Sequence, residues 1–160
     1  MTSQQIIEAF SRRRVVPSKL PKKCLSAAVC VILGGPNESP SLCFIKRSER
    51  PDDPWSGHMA FPGGHITSTD DSARTAAERE ATEEVGLNLS LCRYLGSLQE
   101  IQITQRGQLL RSWLQPFVYL CSPNLPSLYP QASEVAEAMW IPITHLTTDS
   151  NRTSMLVEDG

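Results

Sequence analysis

No long apolar run occurs in the 160 residues: the longest, Ala27–Leu33, is far too short for a transmembrane helix, so no membrane partner is expected. The N-terminus, Met-Thr-Ser-Gln-Gln, lacks the basic-then-apolar pattern of a leader, and a soluble, cytoplasmic protein is expected. Neither sign of charge dominates. Lys+Arg 15 against Asp+Glu 17 gives a net charge of −2, so no global positive field draws the chain to nucleic acid, which is not an expected partner. A CxxC pair is absent, and His58, His65 and His145 have no ligand-like spacing to the cysteines, which argues against zinc. Internal repeats are missing as well. What is present is ordinary: the length of one domain, 40% apolar and 20% charged residues. That composition excludes a disordered tail, a coiled coil and a collagen-like chain. The five cysteines (Cys24, Cys30, Cys43, Cys92, Cys121) stand mostly among apolar neighbours and read as reduced, buried packing thiols.

Ser3 can cap a short amphipathic helix through about Arg13, with Ile6, Ile7 and Phe10 on one face. Arg12-Arg13-Arg14, Lys19, Lys22 and Lys23 then make a basic arm broken by Pro17 and Pro21. The expected organisation is helix and arm over residues 1–23 and one domain over 24–160. Cys24–Leu33 reads as a buried strand, Gly34-Gly35-Pro36-Asn37 as a turn and Leu42–Lys46 as the returning strand. A proline-punctuated loop, Arg50–Gly57, leads to Phe61-Pro62-Gly63-Gly64 and a polar loop, His65–Asp70. Ser72–Val85 is a helix, with Asp70, Asp71 or Ser72 as N-cap and Gly86 as the left-handed residue past its end. Cys92–Gln105 reads as one or two strands and Gln105-Arg106-Gly107 as a hairpin turn. Leu109–Cys121 is a long strand whose Pro116 argues for an edge or a bulge. A proline-rich loop, Ser122–Ser133, precedes a last strand over Val135–Ile141 and a short helix from Pro142. Strands gathered around one strong helix, without regular βαβ alternation, predict an α/β domain with a mixed sheet.

The chemistry concentrates in Arg79-Glu80-Ala81-Thr82-Glu83-Glu84-Val85-Gly86-Leu87. Glu80, Glu83 and Glu84 are related as i, i+3 and i+4, so their directions fall within about 100° on the helix. Three anions on one face destabilise a bare helix. A divalent cation with hard-oxygen preference reverses that sign. Arg79 sits where it can orient a carboxylate, and the Gly63-Gly64 turn lets backbone approach a metal or a phosphate without a Cβ in the way.

These residues resemble the box of the Nudix hydrolase superfamily, G-x5-E-x7-R-E-U-x-E-E-x-G-U with U apolar. Gly64 matches its first glycine, Arg79-Glu80 its R-E pair, Glu83-Glu84 its E-E pair and Gly86-Leu87 its closing pair. Fourteen residues separate Gly64 from Arg79, one more than the general box, and the early glutamate is an aspartate, either Asp70 or Asp71. The coenzyme A pyrophosphatase-like branch is similar in carrying this longer loop, and its upstream signature resembles Cys43–Ser48 and Gly57–Gly64. That signature's second arginine has no counterpart in register, Arg50 being the nearest.

The resemblance implies the Nudix α/β/α sandwich and hydrolysis of a diphosphate linked to another moiety, by water attack at phosphorus. It implies Mg²⁺ or Mn²⁺ on Glu80, Glu83 and Glu84 with a carbonyl of Gly63 or Gly64. Arg79 and a late acidic residue complete the catalytic set. Glu134 is that residue's first candidate, with Glu100 and Glu137 behind it. Arg47, Arg50, Phe61, Gly63 and Gly64 are expected to contact the substrate, a nucleoside diphosphate derivative such as coenzyme A. Trp55 can stack on a base or pack into a core. A non-catalytic nucleotide-binding module and an RNA pyrophosphohydrolase using the basic arm remain open, and a homodimer is among the partners the resemblance implies.

Overall fold

The computed structural model describes residues 1–13, 25–51, 53–105, 108–121 and 123–153. Arg14, Lys19, Lys22, Lys23 and Cys24, together with the Arg106-Gly107 turn, lie outside the described residues.

In chain order the elements are α1 (Ser3–Arg12), β1 (Leu25–Gly34), β2 (Ser41–Arg47), β3 (Met59–Ala60) and β4 (Gly63–His65). They continue with α2 (Ala73–Val85), β5 (Arg93–Ser97), β6 (Ile101–Gln105), β7 (Gln108–Leu120), β8 (Val135–Pro142) and α3 (Ile143–Thr147). The described strands form one mixed sheet with β1 at its centre, parallel to β7 and antiparallel to β2 and β4. β8 pairs the outer edge of β2, while β5 and β6 share the outer edge of β7.

Alternation along the strands sorts the core into two layers. Ala28, Cys30, Ile32, Phe117 and Tyr119 point to one side, against Ala77, Ala81 and Val85 of α2. Leu33 and Val118 point to the other, against Ile143 of α3 and Ile6 and Phe10 of α1. Helices thus cover both faces, and the expected α/β/α sandwich is what forms.

β1 and β2 meet only at Leu33↔Leu42 and Gly34↔Ser41 and then splay apart. Residues 59–65 fill the opening: β3 pairs Ile45 and Lys46 of β2, and β4 pairs Ala27–Val29 of β1. The Cys30 N–H donates to the Pro62 carbonyl between the two (2.7 Å). The Gly63-Gly64 segment is therefore strand rather than free loop.

Several expectations need correction. Thr2, not Ser3, caps α1, through a capping box with Gln5 that leaves Ser3 as the first helical residue. Among the three candidate caps of α2, Ser72 is used, by reciprocal bonds with Thr75, and Gly86 ends the helix at φ +71° as expected. β7 is an interior strand, so Pro116 marks no edge. Its nitrogen faces the gap between the β6 pairing, which ends at Leu114, and the β5 pairing, which begins at Phe117. No ladder bond is lost there: Leu98 N–H donates to the Pro116 carbonyl (2.9 Å), and Gln115 Nε2 supplies the Leu98 carbonyl (2.6 Å). Cys92 and Cys121 are not packing thiols but a disulfide, brought to a Cα separation of 4.4 Å by the β5–β7 register next to Arg93↔Leu120. Cys30 and Cys43 are free and buried as expected, and burial pushes the Cys43 thiol up to about 12, which keeps it unreactive. Trp55 joins no core cluster; it is 38% exposed with its ring edge-on to His58.

Candidate functional site

At 3.6 residues per turn, α2 turns Glu80 and Glu84 toward β4. Glu84 is buried, 3% exposed, and accepts a hydrogen bond from the Gly63 N–H at 2.8 Å. Glu80 lies against Gly64, where a Cβ would fall 2.6 Å from its Cδ. The third partner comes from the far edge of the sheet. Glu134 sits just before β8, and its backbone carbonyl accepts from Ser48 N–H (2.9 Å) past the end of β2. Carboxylate oxygens of Glu80, Glu84 and Glu134 lie within 4.8 Å of one another.

The structure does not bring Glu83 into this group. Its carboxylate swings to Arg79 Nη1 (3.1 Å) and is 55% exposed. Arg79 is the organiser: two of its nitrogens donate to Asp70 (3.0 and 3.2 Å), and Nη1 reaches Glu80 (2.9 Å) as well as Glu83. Asp70, not Asp71, thus occupies the early acidic position. Hydrogen bonds from Arg79 and from Thr67 hold its carboxyl well below the usual carboxylate range.

The three carboxylates line a cleft of about 250 Å³ together with Gly63, Gly64, Arg47 and Arg50. Arg47 donates from Nη2 (2.6 Å) and Nε (3.2 Å) to Asp53 Oδ2. Arg50 Nη2 lies 3.9 Å from Glu134 and donates to the Ser133 carbonyl. Phe61 is not at the cleft: its ring stacks on Phe44 with centroids 4.7 Å apart, because β3 places it over β2. Among the other candidates, Glu137 pairs with Lys46 (3.7 Å) on the β2–β8 surface, away from the cluster. Nothing in the residue pattern singles out Asp53. Its partner is chosen by how the Arg50–Gly57 loop folds back on β2, and no spacing rule signals that.

Burial pushes the Glu84 carboxyl up to about 7; Glu80 and Glu134 add to the rise, while the Gly63 N–H and Arg47 oppose it. Without a cation, burial favours the protonated form. Glu84 then contributes stability that is full below its ordinary 4.5 and lost as pH rises through about 7. Melting curves in EDTA are expected to show the midpoint falling across that interval, and Glu84→Gln to flatten the slope.

An all-oxygen donor set of three converging carboxylates, one of them buried, fits a hard divalent cation. Glu80, Glu84 and Glu134 are the residues that would hold it.

Among the described residues no helix is long and apolar enough to cross a membrane. Residues 24–157 match the family profile described as NUDIX domain. An uncharacterized protein of Schizosaccharomyces pombe is 40% identical over 76% of this chain, and that match spans 37% of the yeast protein. The human mitochondrial coenzyme A diphosphatase NUDT8 is 30% identical over 84% of this chain and 56% of its own length. The chain thus spans only about a third to a half of these relatives. In solved structures, a Caenorhabditis elegans Ap4A hydrolase complex superposes with TM-score 0.60 at 17% identity, covering 75% of this chain and 81% of that one. The NUDIX domain of Shewanella oneidensis NrtR with ADP ribose gives 0.55 at 18% identity, covering 91% and 86%. These likenesses support the fold. With the profile spanning most of the sequence and the box residues on α2 and β4, the chain belongs to the NUDIX family.

Proposed function

We propose that the protein is a Nudix hydrolase cleaving a diphosphate linkage in a nucleoside diphosphate derivative, with coenzyme A the first candidate. The observation that carries this reading is the meeting of Glu80, Glu84 and Glu134 beside Arg47 and Arg50 in one cleft. Carboxylates for a cation and guanidinium groups for phosphates are what hydrolysis at phosphorus requires, since the chemistry rests on positioning and charge neutralisation. The cation, Mg²⁺ or Mn²⁺, supplies charge for the diphosphate oxygens and lowers the pKa of water when bound. Arg47 and Arg50 hold the substrate's phosphates. Arg79 acts one step back, keeping Glu80 aimed into the cleft while Asp70 and Glu83 hold Arg79 in turn. Gly63 and Gly64 bring backbone to the cleft floor. Coenzyme A as substrate is supported by the branch-like segments at Cys43–Ser48 and Gly57–Gly64 and by the likeness to NUDT8. A cytoplasmic location belongs to the same reading and is checked by cell fractionation.

The test is incubation with Mg²⁺ or Mn²⁺ and a panel of coenzyme A, ADP-ribose, NADH, diadenosine polyphosphates, nucleotide sugars and nucleoside triphosphates, with products resolved by chromatography. Release of adenosine 3′,5′-bisphosphate and phosphopantetheine from coenzyme A is the expected result. Turnover of another panel member alone overturns the substrate and keeps the chemistry; no turnover at all overturns the chemistry.

A further inference from the structure

We propose that Asp53 is a positioning residue for Arg47, fixing one edge of its guanidinium so that the other is presented to the substrate's diphosphate. This rests on the reading of the cleft as a diphosphate site.

The loop between β2 and β3 builds the device. Asp53 N–H donates to the Arg50 carbonyl (3.2 Å), Ser56 N–H to the Asp53 carbonyl (3.0 Å) and Arg50 N–H to Ser56 Oγ (2.8 Å). The Asp53 carboxylate is then fixed from within its own loop, because Oδ1 accepts the Trp55 N–H at 2.9 Å. Oδ2 faces Arg47 and takes Nε and Nη2 together. Arg47 is tied at its backbone too, since its N–H donates to the His58 carbonyl (3.0 Å). A guanidinium carries five N–H donors in a rigid fork, so engaging two leaves the rest in a defined direction. Both side chains line the cleft, and neither is far open to solvent: Arg47 is 31% exposed and Asp53 17%.

On Coulombic grounds alone a carboxylate in an anion-binding cleft is unfavourable, because it offsets part of the charge of Arg47. What it returns is order. A free arginine must give up rotamer freedom when it binds, and a pinned one has already done so. The two accounts predict opposite signs. If charge dominates, removing Asp53 tightens anion binding; if positioning dominates, removal weakens it.

The experiment measures binding of inorganic pyrophosphate in the presence of Mg²⁺ by calorimetry, alongside KM and kcat on the best panel substrate. Asp53→Ala is expected to weaken pyrophosphate binding, and raise KM, about tenfold with kcat within about twofold, the mark of lost uniform binding. In an Arg47→Ala background the same change is expected to add nothing further. Asp53→Asn, which keeps the volume and one acceptor oxygen, is expected to fall between wild type and Asp53→Ala and covers the case of an alanine variant that does not fold. Unchanged or tighter pyrophosphate binding on removing Asp53 overturns the proposal. So does a full effect persisting without Arg47, which would assign Asp53 to the loop alone. If wild type binds pyrophosphate and the Asp53 pattern holds while no panel member is hydrolysed, the hydrolase reading fails and this inference survives.

Discussion

Glu84→Gln is expected to lower hydrolysis by on the order of 10³-fold while leaving the protein folded and, without metal, more stable above neutral pH. The exchange keeps shape and keeps an oxygen to accept the Gly63 N–H, so the bond between α2 and β4 persists. What it removes is the charge of the most buried of three converging carboxylates. A buried anion flanked by Glu80 and Glu134 is tolerable only with a proton or a cation to offset it, and glutamine needs neither. Activity and apparent Mg²⁺ affinity should therefore fall as stability at high pH rises. Glu83→Gln is the discriminating control. Its carboxylate rests on Arg79 and is half exposed, so a loss of about tenfold or less is expected. Equal losses in the two variants, read from kcat and from a metal titration, would return Glu83 to the metal-binding set.

The second large effect separates two adjacent glycines. Gly63→Ala is expected to unfold the protein or destabilise it by more than about 4 kcal/mol. A Cβ there would lie 2.3 Å from the Ala28 carbonyl oxygen and 2.5 Å from Val29 Cα, both backbone atoms of the central strand, and φ is +149°. Neither neighbour can move without opening the β1–β4 pairing. Gly64→Ala is expected instead to spare the fold and impair function. The atoms nearest its Cβ would be the end of the Glu80 side chain, at 2.6 to 2.9 Å, and a side chain can swing away. The carboxylate that leaves is one of the three proposed to hold the cation, so a loss of about 10²-fold in activity is expected with only a small change in melting temperature. Denaturant unfolding beside a metal-dependent assay reads both.

The parts legible from the residues alone were those governed by local rules. Capping chemistry and helical period placed α2 within a residue at each end, and the same period put Glu80 and Glu84 one turn apart. The β-branched, apolar run Cys24–Leu33 and the Gly34–Asn37 turn that returns it as Leu42–Lys46 locate β1 and β2 to within a residue or so. Local rules put Glu80, Glu83 and Glu84 on one face and could not show that Glu83 leaves the group, because side-chain direction stays open on an isolated helix. The choice is made by Arg79, which is itself held by Asp70 from the preceding loop. Counting from the glycine and counting from the arginine picked different aspartates, and only the fold resolves them. The Cys92–Cys121 bond and the interior place of Pro116 follow from strand register across a sheet, which no residue carries by itself. Trp55 stays exposed, with only its N–H engaged by Asp53 Oδ1 and its ring edge-on to His58, which a count of apolar neighbours in sequence does not foretell.

The splaying of β1 from β2 has a thermodynamic consequence. Because residues 59–65 are woven into the sheet, amide protons such as those of Cys30 and Gly63 should exchange with solvent only when the domain unfolds globally. The cleft floor is then ordered during folding, not on ligation. Cation binding should release solvent without a measurable ordering of backbone, and its heat-capacity change should be small. A site of this kind keeps its shape between turnovers, at the cost of making every error in the wedge an error in the whole fold.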